Sequence, residues 1–163
     1  MRCYQCGKAD LEPHVGIYEY DLARLPYPVL LVGIPMEKCP VCGEEVVTIP
    51  DPEGLHRAIA LSIIKADRPI LPDEVRFLRR VLDKSADDLA ALVGIDVKTL
   101  SRWENGRQKI GKIADRFLRL LVHRRLAPDV AGFAEELFPT LPDEGEAQAV
   151  RLFTSPSGWQ RAA

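Results

Sequence analysis

The stretch that decides the fold reads "GIDVKTLSRWENG", from Gly94 to Gly106. Successive helix residues are offset by about 100°. Val97, Leu100 and Trp103 therefore gather on one side, and Lys98, Ser101, Arg102 and Asn105 on the other. Asp96 stands where a helix N-cap is wanted, and Gly106 where the helix must stop. The spacing predicts a helix over 97–105 with an apolar inner side and a basic outer side. Upstream, Ser85 followed by Asp88 is a capping-box-like start for a helix over 86–93, which Gly94 ends in the position that favours a left-handed backbone. Glu104 falls beside Val97 on the inner side. A buried carboxylate is costly without a partner, so a structural ion pair is expected with Arg79 on the first helix, over about 73–82.

Two capped helices joined at a glycine and followed by Arg107, Lys109 and Lys112 read as a helix-turn-helix. Its outer ridge is narrow enough for a DNA major groove. Arg102 suits the O6 and N7 atoms of guanine, Lys98 suits guanine or phosphate, and Ser101 and Asn105 reach base edges or backbone. With Thr99 at the helix start and Arg107 and Lys109 on the flank, these are the candidate DNA contacts. Neutralising six phosphates gives a log–log salt slope of about −5. The competing reading is a small helical bundle with a solvated polar face.

Charge along the chain supports the first reading. The 163 residues carry a formal charge of −2, but unevenly. Residues 1–67 hold 6 Lys/Arg and 10 Asp/Glu, residues 68–127 hold 14 and 8, and residues 128–163 hold 2 and 6, for nets of −4, +6 and −4. Lys98 to Arg125 alone holds 9 basic and 2 acidic residues, the footprint of a polyanion partner. No apolar run is long enough for a bilayer, and no apolar signal segment precedes "MRCYQCGK", so a cytoplasmic protein without a membrane partner is expected.

In that compartment thiols stay reduced, and four cysteines suggest a metal before disulfides. "CYQC" (Cys3, Cys6) and "CPVCGE" (Cys39, Cys42) form two C-x2-C pairs, each followed by a glycine, Gly7 and Gly43, that lets the turn close over the sulfurs. The expectation is one structural zinc ion per chain held by Cys3, Cys6, Cys39 and Cys42. Iron in the cell stays open. A redox dithiol or buried free cysteines would be the alternative for a single pair. Four thiolates leave no coordination position for water, and no H-x-E motif adjoins them, so neither a zinc enzyme nor any other enzyme is expected. His14 is read as a strand residue, with a metal ligand or a hydrogen-bond donor to one as the alternative, and His56 and His123 as ordinary surface or interface residues on helices.

Residues 1–50 otherwise read as three short strands, over 14–20, 28–34 and 44–50, punctuated by prolines. Such a unit buries little core and needs a staple. Asp51 can cap a helix with Pro52 at its first position and Leu55, Ile59 and Ile63 on one stripe. From Asp73 the chain is helical, over about 73–82, 86–93, 97–105, 113–126 and 129–137. The fold class is α+β: a small zinc-bound antiparallel β domain (1–50), a helical linker (51–72), an all-α helix-turn-helix domain (73–138) and a C-terminal tail (139–163). The tail is expected to be loosely held unless Val150, Leu152, Phe153 or Trp159 docks on a neighbour.

The segment "LRRVLDKSADDLAALVGIDVKTLSRWENGRQ" is similar to the Xre/Cro-type helix-turn-helix. There a Trp/Tyr-Glu-x-Gly ends the recognition helix, and a first-helix arginine pairs with that glutamate. Together with "MRCYQCG…CPVCGE", the chain resembles the MqsA (YgiT-type) antitoxins over about residues 1–125. The resemblance implies a homodimer that binds a palindromic operator in double-stranded DNA and represses its own operon. It also implies an N-terminal zinc domain that neutralises a small toxin, commonly an mRNA-cleaving ribonuclease. The family's two base-contacting positions fall on Lys98 and Arg102. The first is an asparagine in the family, so the operator sequence should differ. Ala86 stands where many Xre proteins carry glutamine, and Ile110-Gly111 replaces the usual proline. A zinc-containing Xre-type regulator without a toxin is the runner-up.

Overall fold

The computed structural model describes residues 1–127 and 145–162. Three strands open the chain: β1 (Glu12–Glu19), β2 (Val29–Lys38) and β3 (Glu45–Val47). Among the described residues five helices follow: α1 (Pro52–Ile64), α2 (Pro72–Val81), α3 (Ala86–Val93), α4 (Val97–Glu104) and α5 (Lys112–Leu126). A terminal hairpin of β4 (Val150–Ser155) and β5 (Gly158–Arg161) completes the order. The α+β class expected from the sequence is the one observed. The helix expected over 129–137 lies outside the described residues.

The sheet departs from expectation. β1 and β3 both pair antiparallel with β2, but β4 joins β2 in parallel, with Val29 beside Val150 and Val32 beside Phe153. The sheet is therefore mixed, in the order β1-β2-β4-β5 with β3 also on β2, not purely antiparallel. The described part of the tail is held from Val150 to Arg161, because Val150 and Leu152 alternate into the core and Trp159 donates its indole N–H to the carbonyls of Pro50 (3.1 Å) and Asp51 (3.2 Å). Burying two apolar side chains and satisfying the indole N–H outweighs the tail's polar composition.

β2 is the central strand, and its inward residues Val29, Leu31, Ile34 and Met36 are all buried. Gly33, at φ 73°, is the extra residue of a bulge that keeps Leu31 and Ile34 on one face. This face meets α1, whose Leu55, Ile59 and Ile63 stripe is buried as the periodicity demands. Asp51 accepts from the Gly54 N–H at 3.0 Å and Pro52 opens the helix. α1 also buries Ala60 and Ile64. It lies between the sheet hairpin and helices α2 and α5, and one apolar core runs from Val29 through Ile59 to Leu78, Leu100 and Val122.

A buried polar network fixes the chain between α1 and α2. The Arg68 guanidinium forks onto Glu74, at 2.6 Å and 2.8 Å, and Glu74 is fully buried. Glu74 also accepts from the Leu71 N–H and from the Tyr27 hydroxyl, so the β1–β2 loop is tied to α2. Arg119, 1% exposed, donates to Asp115 (2.6 Å) and to the carbonyls of Ile64 and Ala66. Asp115 in turn accepts from the Ile70 N–H at 2.7 Å. Each buried charge is thus paired and hydrogen-bonded, the condition under which it is tolerated.

Candidate metal centre and basic helix

The two C-x2-C pairs sit on tight turns at the far end of the sheet. Gly7 and Gly43 both adopt positive φ (64° and 76°), and their N–H groups bond back to the carbonyls of Cys3 (2.9 Å) and Cys39 (3.0 Å). A side chain at either position would strain that turn. The Cys39 N–H bonds to Glu44 and the Cys3 N–H to Ala9, so each turn is closed from both ends. The Tyr4 hydroxyl donates to Glu44, linking one turn to the other, and this bond raises the phenol's pKa.

The four sulfurs are free thiols and converge within 4.8 Å of one another. Cys3 Sγ lies 3.6 Å from Cys42 Sγ, and Cys6 Sγ lies 3.7 Å from Cys39 Sγ. A tetrahedron of thiolates at about 2.3 Å from a metal ion has edges of about 3.8 Å. The four cysteines are therefore close enough to bind a metal ion. The backbone supports the charge such a site needs. Hydrogen bonds from the Cys42 and Val41 N–H groups draw the Cys39 thiol down to about 6, against the pull of burial. Cys42 accepts a backbone hydrogen bond from Glu44, yet burial and its three sulfur neighbours push it up to about 12. Crowded sulfurs resist sharing negative charge unless a cation lies between them. His14 lies on β1 opposite Met36 rather than with the four sulfurs.

The second candidate surface is built on α3 and α4. Ser85 accepts from the Asp88 N–H (3.1 Å), and Asp88 returns to the Ser85 N–H and hydroxyl. Gly94, at φ 79°, ends α3, and Asp96 starts α4 by accepting from the Thr99 N–H at 3.0 Å. These hydrogen bonds hold the Asp88 and Asp96 carboxyls below their ordinary range. On the inner side Leu100, Trp103 and Glu104 are buried, but Val97 is 39% exposed. As the first helical residue, Val97 lies at the open end of α4, one turn short of the core, and the expectation that it packs inward is corrected.

Glu104 receives Arg79 Nε at 2.6 Å and Arg79 Nη2 at 3.2 Å. Arg76 adds a bond to the Glu104 carbonyl at 2.7 Å, so α4 is clamped to α2 at its C-terminal end by two arginines. Arg76 was not anticipated; its signal is the three-residue spacing from Arg79 along one side of α2.

The outer residues divide into two groups. Lys98, Arg102, Arg107 and Lys109 are exposed. Thr99 and Asn105 are engaged with the helix itself. The Thr99 hydroxyl donates to Asp96 (2.7 Å), and the Asn105 amide donates to the Ser101 carbonyl (2.8 Å) while its oxygen accepts from Arg76 (3.2 Å). Ser101 is exposed beside Asn105.

Sequence reasoning missed Arg68, Glu74, Asp115 and Arg119 as fixtures. Asp115, Leu118, Arg119 and Val122 form one helical stripe, and charges set within an apolar stripe at four-residue spacing signal a buried pair. Among the described residues no helix is long and apolar enough to cross a membrane.

The α+β chain thus carries a cluster of four cysteines and, apart from it, a capped helix with a basic outer side. The chain matches the family model of MqsA, the antitoxin component of a bacterial toxin–antitoxin system, over residues 1–130, and it belongs to that family. Among curated proteins none matches the chain.

Proposed function

We propose that the chain is an antitoxin that also represses its own operon: a homodimer that binds a palindromic operator through α4 and neutralises a small, mRNA-cleaving toxin through its zinc-bound N-terminal part. In this reading residues 1–50 are the zinc-binding domain, 51–72 the helical linker, 73–138 an Xre/Cro-type helix-turn-helix domain and 139–163 a tail. The protein works in the cytoplasm and by binding, without catalysis. Zinc suits Cys3, Cys6, Cys39 and Cys42 because four soft thiolates at tetrahedral spacing close its coordination sphere. Its place is structural.

The observation that carries the DNA reading is the exposure of Lys98 and Arg102 on a helix whose other side is locked by Leu100, Trp103 and the Glu104–Arg79 pair. A helix held this rigidly presents side chains in a fixed geometry, which base readout requires. Lys98 and Arg102 are assigned to base edges, with Ser101 beside them. Thr99, Asn105, Arg107 and Lys109 are assigned to the helix ends and the DNA backbone. Thr99 and Asn105 spend side-chain groups on bonds within the protein, so their contacts are assigned to the DNA backbone and not to base edges.

The test is a mobility shift of the protein's own promoter fragment at low salt. Wild-type protein should shift it with a salt slope near −5. Arg102→Ala should weaken operator binding by about 1–3 kcal/mol and relax specificity at one base pair. Arg107→Ala should weaken binding to all sequences alike and reduce the slope by about one. A dimer that leaves its promoter fragment unshifted refutes the repressor role. Failure to bind the product of the adjacent reading frame refutes the antitoxin role and leaves a zinc-containing regulator.

A further inference from the structure

The outward face of the sheet carries an apolar surface that the DNA and metal readings do not use. Along β1, Pro13, Val15, Ile17 and Glu19 are exposed, while His14, Gly16 and Tyr18 turn toward the protein. An antiparallel sheet with one wet face ordinarily places polar residues there. Here Val15 is 73% and Ile17 65% exposed. Strand register extends the apolar character across the sheet. Exposed Ile17 lies beside half-buried Val32, and Val32 lies beside half-buried Phe153, so β1, β2 and β4 supply one continuous row. Val15 lies opposite Pro35 in the next row. Scattered exposed apolar residues are ordinary on any protein, but a contiguous group on one face marks an interaction surface.

We infer that this face, centred on Ile17, Val32 and Phe153, docks a partner protein whose contact surface is apolar at its centre and basic at its margin. Three features select that partner. On the β1 side Glu19 and Glu37 lie on the same face, one at each end of the apolar rows, by their pairing with Leu30 and Pro13, while Arg151 stands across Leu30 on the β4 side. Lysine or arginine at a partner's margin would match these carboxylates. The surrounding segment 1–67 carries a net charge of −4, which favours encounter with a cationic partner. Among the described residues β1 is one of the two edge strands of the sheet path.

Phe153 makes this inference particular to the chain. It lies in the terminal hairpin, beyond the residues 1–130 that match the family, and Val150 and Leu152 anchor it from the inner side. The hairpin thus widens the docking face by one strand, and Phe153 is a specificity-determining contact. The inference rests on the proposal that the N-terminal part binds a toxin, and it names the surface and the chemistry by which it does so.

The experiment measures binding of the purified full-length protein to the purified product of the adjacent reading frame. Ile17→Asp should weaken it about thirtyfold or more, and Phe153→Ala about tenfold. Metal content, melting temperature and promoter shift should stay at wild-type values. Glu19→Lys and Glu37→Lys, which alter no apolar packing, should slow association and flatten its salt dependence, so the face is tested even if an apolar variant misfolds. Wild-type binding that all four variants leave intact overturns this surface while the antitoxin reading stands. No binding by the wild type overturns both. Wild-type self-association that Ile17→Asp abolishes identifies the face as a contact between copies and overturns the assignment to a partner.

Discussion

Around the cysteines the buried apolar residues are few: Cys3, Leu11 and Cys39, with Cys6, Ala9 and Val46 half-buried against them. Around Gly94–Gly106 they are part of something larger. Leu89, Ala90, Leu100 and Trp103 belong to a core that reaches the sheet, and Glu104 is locked by two arginines. The first region has too little apolar surface to offset the conformational entropy of two tight turns. Its geometry calls for an ion. The second is held by its own side chains. The contrast predicts that one end of the molecule depends on metal while the other does not.

The largest expected effect follows directly. Chelation, or Cys39→Ser, should release the metal and disorder the two turns, because a structural tetrathiolate site contributes on the order of 10 kcal/mol. Metal analysis should fall from one ion per chain toward none. Amide resonances of residues 1–11 and 39–44 should collapse while those of α2–α4 persist. Collapse of the whole spectrum would break the comparison, because it would make the metal a fixture of the main core as well.

Leu100→Ala tests the other side. A fully buried leucine truncated to alanine leaves a cavity and costs about 3 kcal/mol. The melting temperature should drop by several degrees with metal content unchanged. A smaller loss of about 2 kcal/mol is expected for Arg79→Ala, which leaves the largely buried Glu104 with Arg76 alone. Glu104→Gln should recover part of that loss in the Arg79→Ala background, since it removes the uncompensated charge. A double-mutant cycle with no coupling would show that the pair does not hold α4 in place.

The smallest effects concern the helix caps. Ser85→Ala should cost about 1 kcal/mol. The caps also give the helical end a pH signature. Asp88 and Asp96 are held below their ordinary pKa by hydrogen bonds from Ser85 and Thr99 respectively. Their stabilisation is therefore complete above the ordinary carboxyl range, and it is lost as pH falls through their lowered folded values. Asp96→Asn keeps a cap but should remove its share of this acid sensitivity, measured as melting temperature between pH 5 and pH 2. The metal end should lose its ion over the same titration by protonation of the thiolates, so the two ends are distinguished by repeating it on chelated protein.

Much of the site was legible because its signals are local. The starts of α1, α3 and α4 follow from Asp51, Ser85 and Asp96, each bonding an N–H three residues ahead. Gly7, Gly43 and Gly94 stand where the backbone takes positive φ. The sulfur cluster was legible from spacing, since two short C-x2-C turns have few other uses. The hairpin was not. Val150–Phe153 finds its partner in Val29–Val32, more than a hundred residues earlier, and no local pattern encodes a parallel pairing of that span. The buried network was hidden for a related reason. Arg68 and Glu74 look like solvated charges until Tyr27 and the Leu71 N–H converge on them from other elements.

By itself the sequence determined which helices form, where they are capped, which four sulfurs act together and which side of α4 is basic. These depend on neighbours a few residues apart, where periodicity and turn chemistry operate at fixed distances. Tertiary structure alone decided that the sheet is mixed, that the tail is its fourth and fifth strands, that Val97 stays in solvent and that Ile17, Val32 and Phe153 form one row. Each of these is a contact between distant parts of the chain, and it exists only once a shared core brings them to the same place.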